Sequence, residues 1–446
     1  MAQSDTKVLG AKNLGSSGVL YTDRRDFYIK PNVVKELWTD VTPFTTVIAN
    51  QSTMSGMADP VFKMFEHKNP WVKQEFQIDT PIANGDMPAG NVESAELDIS
   101  AGKGIELGSN LVGLEVEIFD SAHASKIRAV VTSSSASGKC KVKFLDAVGS
   151  TAIANSDYAM IIGSAFGEGT NSPDAWADDL EVVYNQCQIF KTPVEITGTL
   201  LEASLRGESK ELARLRDIKA QEHKIQKERA FLFGSNLAGI KGGSLGAGAG
   251  GIESLGDVAG NTLRTTMGLI PAIKKHGNDG SGAGGLDPYE QNVFASTDVD
   301  TYAEFVDAME KIFQYVPTAG MKRAFVGAGA LGYWSKMGGN AGSFAGDSGW
   351  TVNLGDMKRD GLGFNYRTLE TPHGVLQLIP TPVLRGPYNK HMLIVSDENL
   401  FHAQYRKPQF QASIQANDFD GVKDQYMSDE GIGVSLIESH ALMVTP

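Results

Sequence analysis

Cysteine is scarce: the 446 residues include two, Cys140 and Cys187. Two thiols make no disulfide framework, and neither belongs to a pair with metal-ligand spacing. A reducing compartment is the expectation. Long apolar runs are lacking too. No stretch approaches the roughly 20 residues that cross a bilayer. The leading residues, MAQSDTKVLGAKNLGSSGV, have no apolar centre of the kind a signal peptide needs. The chain is expected to be made and used in solution, without a membrane partner. Positive charge is the minority sign, with 40 Lys and Arg against 53 Asp and Glu and a net charge of −13. An acidic surface argues against a dedicated nucleic-acid reader. It leaves room for non-specific contact through a local basic patch.

Catalytic signatures are equally thin. Gly102-Lys103 and Gly138-Lys139 are not followed by the Ser or Thr that would hold magnesium in a phosphate loop. The eight histidines form no H-E-x-x-H, and no G-x-S-x-G elbow occurs. Carboxylates abound, as in any acidic chain, and spacing singles out no pair. No catalytic, cofactor-binding or metal-ligating residue is expected, and no cofactor. One motif stands against this. Gly327-Ala-Gly329-Ala-Leu-Gly332 matches G-x-G-x-x-G after a strand-like run, with Asp347 about 20 residues on. A Gly-rich loop follows where a βαβ unit needs its second strand, so the plain reading is a tight strand-to-helix turn. His223, beside Lys224 and Lys227, is expected on a surface. Cys187, in a β run, is expected as a small buried hydrophobe.

Glycine, in contrast, is plentiful at 50 residues, which points to many turns. Apolar content of 41 % suffices for ordinary cores, and the length suggests two to four domains. The first stretch, to about Tyr21, reads as a loose arm. NVVKELWTDVTPFTTVI reads as a short helix stopped at Pro43, then an extended exit. Pro60–Thr80 reads as two strands about the turn residues HKNP, a pattern compatible with one long hairpin. Between Gly104 and Ser164, the runs VEIF, KIRAVV, KCKVKF and YAMIIG are short, β-branched and separated by turn residues. They suggest a small all-β barrel or sandwich.

The clearest helix follows the β stretch QCQIFKTPVEITGTLLE. It covers Glu208–Phe233, with Leu212, Leu215, Ile218 and Ile225 as its apolar stripe, Phe231 and Leu232 closing it and Gly234 as C-cap. At about 26 residues it would be about 39 Å long. TLRTTMGLIPAIKKHG reads as a helix kinked at Pro271. Another helix starts near Asp298, with Tyr302, Phe305, Met309, Ile312 and Phe313 on its apolar face. KRAFVGA is a strand leading into the helix LGYWSKMG. Gly-rich loops cover GSNLAGIKGGSLGAGAGG and roughly 338–363. The remainder is mostly β. The fold class is α+β without a regular βαβ alternation or solenoid repeat.

The long helix also carries a cationic face: Lys210, Arg214, Arg216, Lys219, Lys224, Lys227 and Arg229, with Glu208, Glu211, Asp217, Glu222 and Glu228 interleaved. The plain reading is a solvated helix laced by i,i+4 ion pairs. The functional reading takes Lys210, Arg214, Lys219, Lys224, Lys227 and Arg229 as candidate DNA-facing or inter-subunit contacts, blind to sequence and sensitive to salt.

The order of these elements, with the wording GEGTNSPDAW…VVYNQCQIFKTPVEITGT before the long helix and TLETPHGVLQLIPTPVL…MLIVSDENLFHAQYRKP near the end, resembles the major capsid proteins of tailed bacteriophages, of the Hong Kong 97-type fold. The resemblance is to a subgroup with a small β-barrel insertion before an N-Q-x-Q-I-F stretch, here Asn185 to Phe190. It implies an N-terminal arm (1–58), an extended loop that overlaps a neighbouring subunit (59–103), a β-barrel insertion (104–168), a peripheral domain (169–233) with its spine helix (208–233), an axial domain (234–407) and C-terminal strands (408–446) that return to pair with Pro193–Leu200. It implies a shell subunit, not an enzyme, forming hexamers and pentamers of an icosahedral head around double-stranded DNA. The partners would be other copies, a portal protein, scaffolding and decoration proteins, and DNA held without sequence preference. The location would be the virion, assembled in the host bacterial cytoplasm. Two alternatives remain: an encapsulin-like nanocompartment shell, and a dinucleotide-binding enzyme using Gly327–Gly332.

Overall fold

The computed structural model describes residues 42–67, 75–78, 95–104, 111–120, 125–134, 139–145, 152–154, 157–172, 180–202, 211–236, 263–280, 291–314, 320–339, 357–359 and 365–446. The expected arm up to residue 41, most of the HKNP turn, most of both Gly-rich loops, Lys210 and Asp347 lie outside them.

In chain order the elements are α1 (Pro43–Gln51), β1 (Thr53–Ser55), β2 (Val61–Glu66), β3 (Glu75–Ile78), β4 (Ala95–Gly104), β5 (Leu114–Phe119), β6 (Ser125–Ser134), β7 (Lys139–Phe144), β8 (Tyr158–Ser164), β9 (Glu181–Gln186) and β10 (Gln188–Thr197). There follow α2 (Gly198–Glu202), α3 (Glu211–Phe233), α4 (Leu269–His276), β11 (Val293–Phe294), α5 (Tyr302–Phe313), β12 (Met321–Val326), α6 (Ala328–Gly339), β13 (Lys358–Arg359), β14 (Asn365–Glu370), β15 (Val375–Pro380), β16 (His391–Val395), β17 (Leu400–Gln411), β18 (Gly421–Val434) and β19 (Ala441–Val444). By its contacts the chain divides into two compact units. The smaller includes Thr192–Glu222 and Phe410–Tyr426; the larger comprises Val41–Lys191, His223–Gln409 and Met427–Pro446.

Strands β3-β4-β7-β6-β5-β8 close into a barrel. Alternation explains it: in KCKVKF, Cys140, Val142 and Phe144 point inward while Lys139 and Lys141 are exposed. Val116, Ile118, Ile127, Ala129, Val131 and Leu97 complete a filled apolar centre. Register shifts in four of its strand pairs supply the bends that so few strands need to close.

The barrel corrects one expectation. Val61–Glu66 and Glu75–Ile78 do not pair as a hairpin. β2 pairs with β9, from Val61 opposite Gln186 to Glu66 opposite Glu181. β3 pairs instead with β4 and β8 inside the barrel. The barrel is therefore spliced between the two strands of one ribbon. A local turn signal suggested a hairpin, but the strand that satisfies the β2 backbone comes from the far side of the insertion.

A seven-stranded sheet, β11-β19-β16-β12-β15-β14-β13, carries the largest cores. β12 runs parallel to β15 and antiparallel to β16. Residues alternate between its faces. Phe325, Leu393, Val395 and Leu442 pack with α1, α4 and the end of α3. Ala324, Val326, Met392, Ile394 and Met443 pack with Phe305, Met309 and Trp334 of α5 and α6. Thr301 and Glu304 form a reciprocal capping box at the start of α5.

A second sheet has the order β1-β17-β18-β10. The strand beside β10 is β18; the last strand, β19, pairs with β16 and β11. Along β10, Phe190, Thr192, Val194 and Ile196 are buried while Lys191, Pro193 and Glu195 are exposed. Proline is tolerated there because an edge strand has a backbone side that forms no ladder bond.

Helix α3 is uninterrupted because no proline or glycine falls between Glu211 and Phe233. It ends at Gly234, where a Cβ would sit 2.4 Å from the Ala230 carbonyl oxygen and 2.6 Å from that of Thr266. Pro271 does not kink a long helix. α4 begins at Leu269, which puts Pro271 in the first turn, where its missing N–H has no helical acceptor to lose.

Candidate functional site

Three of the five buried residues of α3 are titratable. His223, Lys227, Glu228, Phe231 and Leu232 are the buried residues of the helix, whereas the expected stripe of Leu212, Leu215, Ile218 and Ile225 is half-buried. Spacings of four place His223, Lys227 and Phe231 on one side. Against them stands β18, whose period of two puts Ser428 and Glu430 on one face and Asp429 on the other.

Glu430 is fully buried. Its carboxylate accepts from Lys227 Nζ at 3.2 Å and from His402 Nε2 at 3.1 Å. Burial pushes this acid up, but the His402 bond and the Lys227 charge outweigh it and hold it below the usual carboxylate range. His223 Nε2 lies 3.1 Å from Ser428 Oγ. Burial, reinforced by Lys227, pushes its imidazole down to about 4, so it is neutral at pH 7. On the opposite face Asp429, also fully buried, accepts from Arg264 at 3.1 Å and Arg406 at 3.4 Å. Buried charges persist only when paired in this way. Such pairs fix one register more than they add net stability.

A second buried polar centre is Asn185. Its amide donates to the Met267 and Ile432 carbonyls at 3.0 and 2.7 Å, and its oxygen accepts from Met267 N at 3.0 Å. It ties β9 to β18 and to the segment entering α4. Cys187 beside it is buried, as expected, and burial pushes its thiol up to about 12, so it carries no thiolate.

The candidate cations do not converge. Lys210 lies outside the described residues. Arg214 pairs with Glu211, and Lys219 with Glu222 at 2.6 Å, each three residues away and partly exposed. Such pairs contribute a few tenths of a kcal/mol, on the order of 0.5. In the smaller unit Arg216 reaches the buried Asp424 at 2.7 Å and lies over the Phe410 ring. Lys224 and Arg229 are exposed. Lys227, expected on a surface, is buried and held by Glu430. His223 is likewise buried, not a surface residue, because its side of α3 faces β18. Sequence reading missed Asp429 and Glu430. Their one signal was two adjacent acids inside an otherwise β-forming run, DQYMSDEGIGV.

The glycine motif is filled by protein. A Cβ on Gly327 would lie 2.2 Å from the Asn389 carbonyl oxygen. The N–H groups of Gly329 and Ala330 donate to Asn389 Oδ1 and O at 2.9 and 3.1 Å. The helix start that would receive a pyrophosphate is occupied by the chain itself. Among the described residues no group of three or more His, Cys, Asp or Glu is placed to hold a metal ion, and no helix is long and apolar enough to cross a membrane.

What these elements build is decided by the match of a family model. The model described as SU10 major capsid protein aligns with residues 27–444. The chain belongs to that family. It is a major capsid protein, a subunit of a shell made from many copies, and the Hong Kong 97-type fold class read from its element order stands with that membership. No curated protein matches the sequence. Among solved structures, the capsid of a native GTA particle is similar at 10% identity and TM-score 0.44, over 97% of this chain and 99% of that one. A structure titled Mycobacterium phage Patience is similar at 13% identity and TM-score 0.36, over 64% and 78%. The holo-SrpI encapsulin complex of Synechococcus elongatus PCC 7942 gives 7% identity and TM-score 0.35, over 60% and 77%. With TM-scores below 0.5, these likenesses add nothing to what the family match carries. In this capsid subunit the buried ionic pairs are therefore internal ties, and the contacts between copies must come from other surfaces.

Proposed function

We propose that this capsid protein forms hexamers and pentamers that close an icosahedral phage head around double-stranded DNA. The observation that carries the reading is the family match over nearly the whole chain. The role is structural, without catalysis or cofactor, which agrees with the occupancy of the glycine turn by Asn389. Assembly takes place in the host bacterial cytoplasm, with a portal protein, scaffolding and decoration proteins as partners. The barrel, which takes in β3 and β4 from the 59–103 region as well as the strands of 104–168, is the insertion domain that resemblance implies, and residues 1–58 supply the arm.

Contact with packaged DNA is weak and sequence-blind. Lys224 and Arg229 are the expected cations still exposed on the described part of α3, and they serve this contact or a neighbouring copy. The ion-paired Arg214 and Lys219 add less, since each shares its charge with a carboxylate.

Electron microscopy of the full-length protein tests the reading. Capsomers or closed particles support it; a monomer under every packaging-like condition overturns it. Nucleic-acid content of the particles then separates a genome shell from a compartment for protein cargo.

A further inference from the structure

Helix α1 has no side-chain cap of its own: Thr42 precedes it without such a bond. Its first turn is met instead from a distant helix. Thr45 N donates to Glu228 Oε2 at 3.3 Å, across 183 residues. Glu228 has no exposure to solvent, and its Oε1 has no hydrogen-bond partner among the described residues. Nearby charges are engaged elsewhere. α1, PFTTVIANQ, has no titratable side chain. On α3, Lys227 reaches Glu430, and Lys224 and Arg229 are exposed. Glu430 is further bonded to His402. β12 packs on α1 through Phe325 against Phe44, with ring centroids 5.0 Å apart. Its Lys322 bonds the Ile312 and Ser439 carbonyls, and its Arg323 bonds Asp397. No cation in this set bonds the Glu228 carboxyl.

We propose that Glu228 is a proton-controlled latch that holds α1 on α3 while it is uncharged and releases α1 when it ionises. An ionised carboxylate with one unmet oxygen needs water, and α1 must lift to admit it. Burial raises this acid to about 8, and the Thr45 and Phe44 donors only partly oppose the shift. The sign follows. With α1 lifted and the carboxyl wet, the proton leaves near the ordinary value of 4.5; with α1 docked it stays until about 8. Docking is firmest below 4.5, weakens about tenfold per pH unit up to about 8, and is level above that. α1 stands between residues 1–41 and the ribbon that bears the barrel, so protons set how firmly the chain is anchored at that junction.

Amide hydrogen exchange on the full-length protein from pH 6.5 to 9, above the window in which the buried imidazoles titrate, corrected for intrinsic rates, tests this. The expected result is an α1 protection that falls about tenfold per pH unit to about pH 8 and then levels, while α5, the internal reference, stays flat. Glu228→Gln keeps the acceptor and cannot ionise, so its α1 protection should be flat and, at pH 6.5, about a hundredfold above that of the wild type. A flat wild-type profile, or the same slope in Glu228→Gln, overturns the proposal. If the variant does not fold, the wild-type slope measured against α5 still decides.

Discussion

Lys227 Nζ lies 3.2 Å from Glu430 Oε2, and the carboxylate it meets has no solvent contact. The pair ties the long helix to β18 in the middle of the larger unit. Lys227→Met should destabilise the subunit by about 3–5 kcal/mol, because Glu430 would remain charged with His402 alone. Adding Glu430→Leu should recover most of the loss, since no buried charge is then stranded. Urea midpoints of the wild type, both single variants and the double variant check this. Additive losses would mean that the two side chains are not coupled.

Acid should weaken the fold in a defined window. Burial pushes His223 and His391 down to about 4 and His440 to about 3, from an ordinary 6.5. Unfolding lets each take a proton below 6.5. The imidazole contribution to stability should therefore be complete above pH 6.5 and fall as pH drops toward 4, by up to about 1.4 kcal/mol per pH unit for each imidazole. Glu228 works the other way between 8 and 4.5 and offsets part of one such slope. Melting temperature against pH is the measurement. His440→Asn, which keeps an acceptor for Ser396 N, should remove about one proton from the slope.

Gly327→Ala should be costly despite the small change. The added methyl would meet the Asn389 carbonyl at 2.2 Å, and backbone must move. A loss of about 1–3 kcal/mol is expected in thermal unfolding. Titration of the wild type with NAD or FAD should give no saturable fluorescence change; a saturable one would revive the enzyme reading.

Replacing residues 67–180 by Asn-Gly should leave the remainder folded. Glu66 and Glu181 already face each other across the ribbon, and a two-residue turn suits that closure. The buried barrel cluster draws all its members from Phe76 to Ala159, so little packing elsewhere is lost. Far-UV circular dichroism and a single cooperative melt would bear this out, whereas a molten chain would show that the ribbon depends on its barrel.

Much of the fold was legible in local pattern. VEIF, KIRAVV, KCKVKF and YAMIIG all fall on strands, because alternation with turn residues is a short-range signal. The long helix was plain from its lack of Gly and Pro. Its buried side was not: periodicity scores apolar residues, and this helix buries His223, Lys227 and Glu228. Their partners Ser428, Glu430 and Thr45 are some 180 to 205 residues away along the chain. The β2–β9 pairing was hidden for the same reason, and β4 because its run AELDISAGKG has few β-favouring residues. Pro271 was misread because proline marks a helix start as readily as a kink, and only the position of the first turn separates the two.

The borders of the two larger sheets bear on how this protein survives its own abundance. The seven-stranded sheet ends in β11 and β13, two residues each, and the four-stranded one in the three-residue β1 and in β10 with its central proline. Short or proline-bearing rims give a stray strand little to zip onto. Subunits crowding toward a closed shell can then meet by side-chain surfaces, while these two sheets offer runaway fibre growth little template from which to start.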